Sequence, residues 1–189
     1  MPQAKTLNES QIKIVLSVIN SGRNSHRNRL MFLLSYWAGM RVGEIAAIKI
    51  CDVVNENGEV LDEIRLTPDQ TKGKFSRTVT LSEKLRKEIN LYIQHLNKNN
   101  SELPLIYSQK SRQGFGANSL CQEFKKIYHK AGINGATSHS GRRTFITALA
   151  SKGIGVRVLQ ALAGHKSIAT TQVYIDVNDS MKRSAVNLL

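Results

Sequence analysis

The stretch Leu30-Met31-Phe32-Leu33-Leu34-Ser35-Tyr36-Trp37-Ala38 constrains the fold of this chain more than any other. On a helix from about His26 to Ala38, the residues Leu30, Phe32, Leu33, Leu34, Tyr36 and Trp37 leave almost no polar face. Such a helix has to lie at the centre, with the other elements packed around it. Ser25 is its expected cap and Gly39 its expected stop. His26, Arg27 and Arg29 fall at its exposed start, read either as a solvated cluster or as one facing a nucleic-acid backbone.

The flanking segments have patterns that can cover such a helix. Thr6 and Glu9 have capping-box spacing, and Ile12, Val15, Leu16 and Ile19 then share one helical face as far as Ser21-Gly22. A further helix opens after Gly39. From Val53 to Leu81 the period changes to two. Asn55-Glu56-Asn57-Gly58 is a turn, and residues 63–67 and 77–81 alternate as strands on either side of a basic hairpin tip, Gln70 to Ser76. Ser82 starts a helix to about Asn97, with Leu85, Ile89, Tyr92, Ile93 and Leu96 as its buried stripe. Ser119 with Gln122 caps another, to about Ala131. A third runs from Ser138-His139 to Ser151, burying Phe145, Ile146 and Leu149. A fourth covers about Val156 to Ala163. Ser167 then opens the segment that carries Thr170, Thr171 and Tyr174.

These patterns predict an α+β fold, mainly α-helical with a small antiparallel β-sheet or hairpin. One domain is expected over 1–178, followed by a C-terminal tail over 179–189. At this length a chain buries roughly 70% of its unfolded surface and needs no disulfide. Cys51 and Cys121 are isolated thiols that fit a reducing cytosol. No apolar run approaches the ~20 residues of a membrane span, and the N-terminus has no apolar signal stretch. A cytoplasmic protein without a membrane partner is expected. Lys and Arg outnumber Asp and Glu by 27 to 14, a net charge of +13. An excess of this size points to a polyanionic partner.

Chemistry concentrates between His139 and Tyr174, where His139, Arg142, His165 and Tyr174 recur without a nucleotide loop or a metal-ligand cluster. A tyrosine among basic residues suggests attack on a phosphate. Arg41, at the first turn of a helix where positive charge is unfavourable, is well placed to aim a guanidinium at a phosphate; the plainer reading is a surface pair with Glu44. Lys72, beside Gly73 on the hairpin tip, can reach into a groove or can be ordinary turn chemistry. A metal site built on the histidines is disfavoured, because no carboxylate or cysteine joins them at ligand spacing.

Together these motifs are far more specific than any one of them. Gly-Met-Arg-Val-Gly-Glu-Ile around Arg41, Thr-Lys-Gly-Lys at Lys72, His-Ser-Gly-Arg from His139 to Arg142, Leu-Ala-Gly-His ending at His165, and Thr-Thr-x-x-Tyr ending at Tyr174 occur in that order. The chain resembles the tyrosine recombinases, or phage integrase family, over about residues 6 to 178, and specifically their catalytic domain. The resemblance implies that fold and a DNA strand-transfer activity through a 3′-phosphotyrosine, with neither cofactor nor metal. It implies Tyr174 as nucleophile, Arg41 and Arg142 on the non-bridging phosphate oxygens, and Lys72 as general acid for the departing 5′-oxygen, with Lys74 the alternative. His139 would be an acid/base for the tyrosine proton and His165 a phosphate hydrogen bonder. The implied partners are double-stranded DNA, further copies of the chain as a dimer or tetramer on DNA, and accessory DNA-bending proteins. The tail would dock on a neighbouring protomer or on its own core.

The roles make physical sense. A phenol with a pKa near 10 needs a base or a cationic field to attack at pH 7. Two guanidiniums can offset the charge gained at phosphorus. A leaving alkoxide needs a proton, which a lysine on a hairpin can deliver. The covalent link keeps the energy of the broken bond, so rejoining needs no ATP. Two positions depart from the family pattern: Arg143 and Asp176 stand where many members have histidine. About 40 residues precede Arg41, where most members carry a separate helical DNA-binding domain, as expected of an excised catalytic domain or a short member like the fimbrial invertases. The competing readings are a catalytically silent DNA-binding regulator of the same fold and a type IB topoisomerase-like relaxing enzyme. Arg112, Lys125 and Lys126 are candidate base readers.

Overall fold

A computed structural model describes residues 4–96, 101–108, 113–175 and 186–187. The apolar stretch at 30–38 forms the second half of helix α2 (Ser25–Ala38), in which Leu30 to Ser35 are all essentially inaccessible to solvent. Around it lie α1 (Glu9–Asn20), α3 (Val42–Ala47), α4 (Glu83–Leu96), α5 (Ala117–Lys130) and α6 (Ser140–Ser151). Its most extensive packing is with α6, then with α4 and α1. The approach to α6 is close because Gly141 presents no side chain: a Cβ there would lie 2.7 Å from Ser35 Oγ. Two short helices, α7 (Val156–Ala163) and α8 (Ile168–Gln172), follow α6. The fold is therefore mainly helical, and its strands β1 (Glu63–Leu66) and β2 (Arg77–Thr80) pair antiparallel, Glu63 opposite Thr80 and Leu66 opposite Arg77. Ile64, Leu66 and Val79 bury one face of this ribbon.

Several local expectations are corrected. The first helix is capped by Asn8, whose side chain accepts from Gln11 N at 2.9 Å while Gln11 Oε1 accepts from Asn8 N at 3.2 Å. Thr6 lies outside the helix and is used elsewhere. Ser25 is the first residue of α2 rather than its cap, and α5 starts at Ala117, so Ser119 is inside the first turn. Arg27 and Arg29 are not a free basic cluster. Arg27, 5% exposed, pairs with Glu123 of α5 at 3.1 Å, and Arg29 pairs with Glu88 of α4. These pairs tie the start of the central helix to its neighbours. Phe145 and Leu149 are half-buried, leaving Ile146 as the fully buried member of that trio. Of the tail over 179–189, all but residues 186–187 lie outside the described residues, as do Asp176 and Arg112. Among the described residues no helix is long and apolar enough to cross a membrane.

Candidate active site

The site is assembled where the ends of α2 and α7 meet the starts of α3 and α6. Helix α2 stops at Gly39 and helix α7 at Gly164, both left-handed, with φ +61° and +60°. L side chains rarely adopt this conformation. There is no room for one either: a Cβ at Gly39 would lie 2.6 Å from the Phe145 ring, and one at Gly164 would lie 2.5 Å from Arg77 Cδ. The last carbonyls of a helix have no partner within it and carry its negative end. Here arginines take them up. Arg142 donates through Nη1 to Gly39 O and through Nη2 to Ala163 O at 2.5 Å. Arg41 donates through Nη2 to Gly164 O at 3.0 Å. Arg77 donates through Nη1 to Leu162 O at 3.0 Å. Three consecutive carbonyls at the end of α7 thus fix three guanidiniums side by side.

Like charges at such density need a counterion, and Glu44 supplies it from the first turn of α3. It is 1% exposed. Its carboxylate accepts from Arg41 N at 2.8 Å, from Arg41 Nη1 at 2.9 Å, and from Arg77 Nε and Nη2 at 3.1 and 2.8 Å. Burial alone would raise its carboxyl, but the charge and hydrogen bonds of Arg77, with those of Arg41, outweigh this and hold it below the usual carboxylate range. The Arg41–Glu44 pair read from the sequence therefore exists, but its carboxylate is buried and clamped by two arginines, with Arg41 only partly exposed. Arg142, 5% exposed, has its guanidinium pushed down to about 9 by burial and by the charges of Arg41 and Arg77, and it stays cationic at pH 7.

The remaining expected residues adjoin this arginine cluster. His139 caps α6, three residues before Arg142. The residue as a whole stays exposed, yet desolvation of its ring, followed by the charges of Arg142, Arg41 and Lys72, pulls its pKa below the ordinary 6.5. His165 follows Gly164 directly. Burial and the charges of Arg142, Arg41 and Arg77 push it down to about 4, so both imidazoles are neutral at pH 7. His165 Nδ1 lies 3.0 Å from Thr171 Oγ1, a buried hydroxyl on α8. Tyr174 follows α8, and its ring stacks on His165 at 5.8 Å between centroids. One cleft is lined by His139, Arg142 and Tyr174, the adjoining one by Arg41, Lys72 and His165, and Thr170 borders both. Lys72 is exposed on the hairpin tip, where Lys166 sits over the Phe75 ring at 3.7 Å. Lys74, with φ +51°, does not line either cleft. Lys125 and Lys126 are exposed on α5, away from these clefts, and Lys126 pairs with Glu123.

Glu44's second partner, Arg77, went unread in the sequence. Its signal was available: on a strand it shares a face with buried Val79, and an arginine on a core-facing position needs a buried partner. Thr171 entered the sequence reading only as part of the Thr-Thr-x-x-Tyr motif and Arg143 only as a departure from the family pattern, neither with a role.

Comparison with known proteins places this arrangement. The model of the phage integrase family matches residues 5–181. The tyrosine recombinase XerA of Pyrococcus furiosus is 32% identical over 182 residues, covering 96% of this chain and 60% of that protein. The tyrosine recombinase XerC of Lactobacillus leichmannii is 29% identical over 90% of this chain and 57% of its own length. The crystal structure of XerA recombinase superposes with a TM-score of 0.76 at 28% identity, over 100% of this chain and 65% of that one. The Tn1549 transposon integrase, solved with circular intermediate DNA, has the same fold at 18% identity and a TM-score of 0.76. The chain thus spans about 60% of the length of the curated relatives it matches. A family match across nearly every residue, carried on a fold shared with XerA, leads to one conclusion: the chain belongs to the phage integrase family, the tyrosine recombinases.

Proposed function

We propose that this chain is the catalytic domain of a site-specific DNA recombinase, cutting and rejoining strands through a tyrosine–phosphate ester. The observation that carries the reading is the pair Arg41 and Arg142. Their guanidiniums are fixed on adjacent carbonyls, 163 and 164, and Arg142 lines the same cleft as Tyr174. A scissile phosphate seated on both would have its non-bridging oxygens held before reaction begins, which is the geometry that stabilises charge building up at phosphorus.

In the proposed step the Tyr174 phenol oxygen attacks phosphorus, its proton passing to neutral His139. The bond from phosphorus to the 5′-oxygen breaks, and Lys72 protonates that oxygen. The DNA is left joined by its 3′-phosphate to Tyr174, and reversal with a new 5′-hydroxyl rejoins it. The lowered pKa of His139 fits it to accept a proton at pH 7. Thr171 donating to Nδ1 of His165 would leave Nε2–H to hydrogen-bond the phosphate. Lys72 is preferred to Lys74 because its charge reaches His139 and it lines the cleft with Arg41.

The substrate is double-stranded DNA, for which the net charge of +13 supplies non-specific affinity. The protein acts in the cytoplasm as a dimer or tetramer on paired sites, with accessory DNA-bending proteins where the sites require them. Residues 1–178 form the catalytic unit, and the tail over 179–189 docks on a neighbouring protomer. Nicked duplexes from the gene's surroundings, labelled and mixed with wild type and Tyr174→Phe, provide the test on denaturing gels. A covalent adduct with wild type alone is expected. Salt-sensitive binding without any adduct would favour the silent regulator, and adducts on DNA of any sequence would favour the topoisomerase.

A further inference from the structure

We propose that Arg143 is a positioning residue for the nucleophile, and that the segment preceding α1 holds Arg143 in place. The proposal rests on the reading of Tyr174 as nucleophile.

Tyr174 has little backbone support. It lies beyond the end of a five-residue helix, where its N–H donates to Thr171 O at 3.0 Å. Its ring must therefore be held by side chains. His165 is one, stacked at 5.8 Å. Arg143 is another, with its guanidinium carbon 5.3 Å from the centre of the Tyr174 ring. Arg143 neighbours Arg142 on α6, but one helical step turns it away from the phosphate-facing pair and toward the tyrosine.

What orients Arg143 comes from the opposite end of the chain. Its Nε donates to Thr6 Oγ1 at 3.1 Å. The next residue, Leu7, is 3% exposed and donates its N–H to the buried Thr144 Oγ1 at 2.9 Å. Ala4 lines the same cleft as His139, Arg143 and Tyr174. Residues 4–7 thus lie as a strap along α6, fastened at Leu7 and touching Arg143 through Thr6. A planar guanidinium fixed at Nε has few remaining orientations, and in this one it lies near the tyrosine ring.

Attraction between a cation and an aromatic ring strengthens as the ring gains electron density. The Tyr174 ring gains it as the phenol proton leaves for His139, before the oxygen–phosphorus bond has formed. The contact is then stronger during attack than before it, which is the condition for speeding the step rather than tightening binding. The strap also makes the nucleophile sensitive to whatever displaces residues 4–7.

The test measures single-turnover cleavage of a nicked duplex that wild type cuts, in Arg143→Gln, Arg143→Lys and Thr6→Val. Arg143→Gln should slow adduct formation by about fivefold with DNA affinity unchanged, and Arg143→Lys should recover part of the loss. Thr6→Val should slow it less, and not additively with Arg143→Gln. A duplex with sulfur replacing the scissile 5′-oxygen leaves without a proton, so it should rescue Lys72→Ala but not Arg143→Gln. Rescue of Arg143→Gln by that duplex, or a defect confined to DNA affinity, would overturn the proposal, as would additive effects of Thr6→Val. Wild-type rates in Arg143→Gln would do the same. If wild type itself formed no adduct, the reading of Tyr174 would fail instead.

Discussion

Glu44→Gln separates a site held by a buried charge from one that is merely well packed. The carboxylate is 1% exposed and accepts four hydrogen bonds from Arg41 and Arg77, the latter 10% exposed. Removing one partner of a buried ion pair costs about 3–5 kcal/mol, because the other charge stays buried and unpaired. Glutamine keeps one acceptor oxygen, which lowers the cost, but turns an NH2 toward a guanidinium. The expected loss is therefore about 3 kcal/mol, or about 6–12 °C in Tm at this chain length. Glu63→Gln is the internal control, since Glu63 pairs with Arg65 at 3.0 Å on an exposed strand edge. Loss of that pair should cost under about 0.5 kcal/mol. Urea unfolding at pH 7, followed by the fluorescence of the single tryptophan, Trp37, measures both. The pH dependence has a definite sign. The folded Glu44 carboxyl lies below its ordinary 4.5, so its stabilisation is full above about pH 4.5 and is lost as pH falls through the folded value. The gap between wild type and Glu44→Gln should hold from pH 7 to about 5 and close below. Equal midpoints for Glu44→Gln and Glu63→Gln would refute the clamp.

Gly164→Ala should lose about 1–2 kcal/mol from its left-handed backbone alone and should slow cleavage further by displacing the carbonyl that anchors Arg41; calorimetry and adduct formation read the two effects. His165, held down at about 4, must be neutral when folded and charged when unfolded between those pKa values. Wild type should therefore lose stability relative to His165→Gln as pH falls from about 6.5 to about 4, and a constant difference over that window would count against it. Arg142→Lys keeps the charge but not the fork to carbonyls 39 and 163, so cleavage should fall by about a hundredfold or more with modest change in DNA affinity. Non-specific DNA binding should weaken steeply between low and high salt by filter assay, with a flat response contradicting the role given to the basic surface.

The general shape was legible because its signals are local. Nothing but burial suits Leu30 to Leu34, and the alternation at 63–66 and 77–80 is ordinary strand pattern. The candidate site was legible as spacing: the six residues from Arg41 to Tyr174 line two adjoining clefts. What stayed hidden was how they are held. Arg41, Arg77 and Arg142 hang on backbone carbonyls at 162, 163 and 164, and a carbonyl has no letter in the sequence. Long-range choices were hidden for a related reason. Thr6 looked like a cap, but Asn8 had a better-placed partner in Gln11, which freed Thr6 to meet Arg143 at the far end of the chain. Arg27 read as part of an exposed cluster, solvated or facing a nucleic-acid backbone, but α5 brings Glu123 to it.

Every role proposed for this site requires that Tyr174 form the bond to DNA. Proteolysis of the trapped wild-type adduct, followed by mass spectrometry of the nucleotide-bearing peptide, tests it most directly. A single modified peptide is expected, in which Tyr174 carries a 3′-phosphate-linked nucleotide. A nucleotide on any other residue, or a 5′-phosphate linkage at Tyr174, would contradict it.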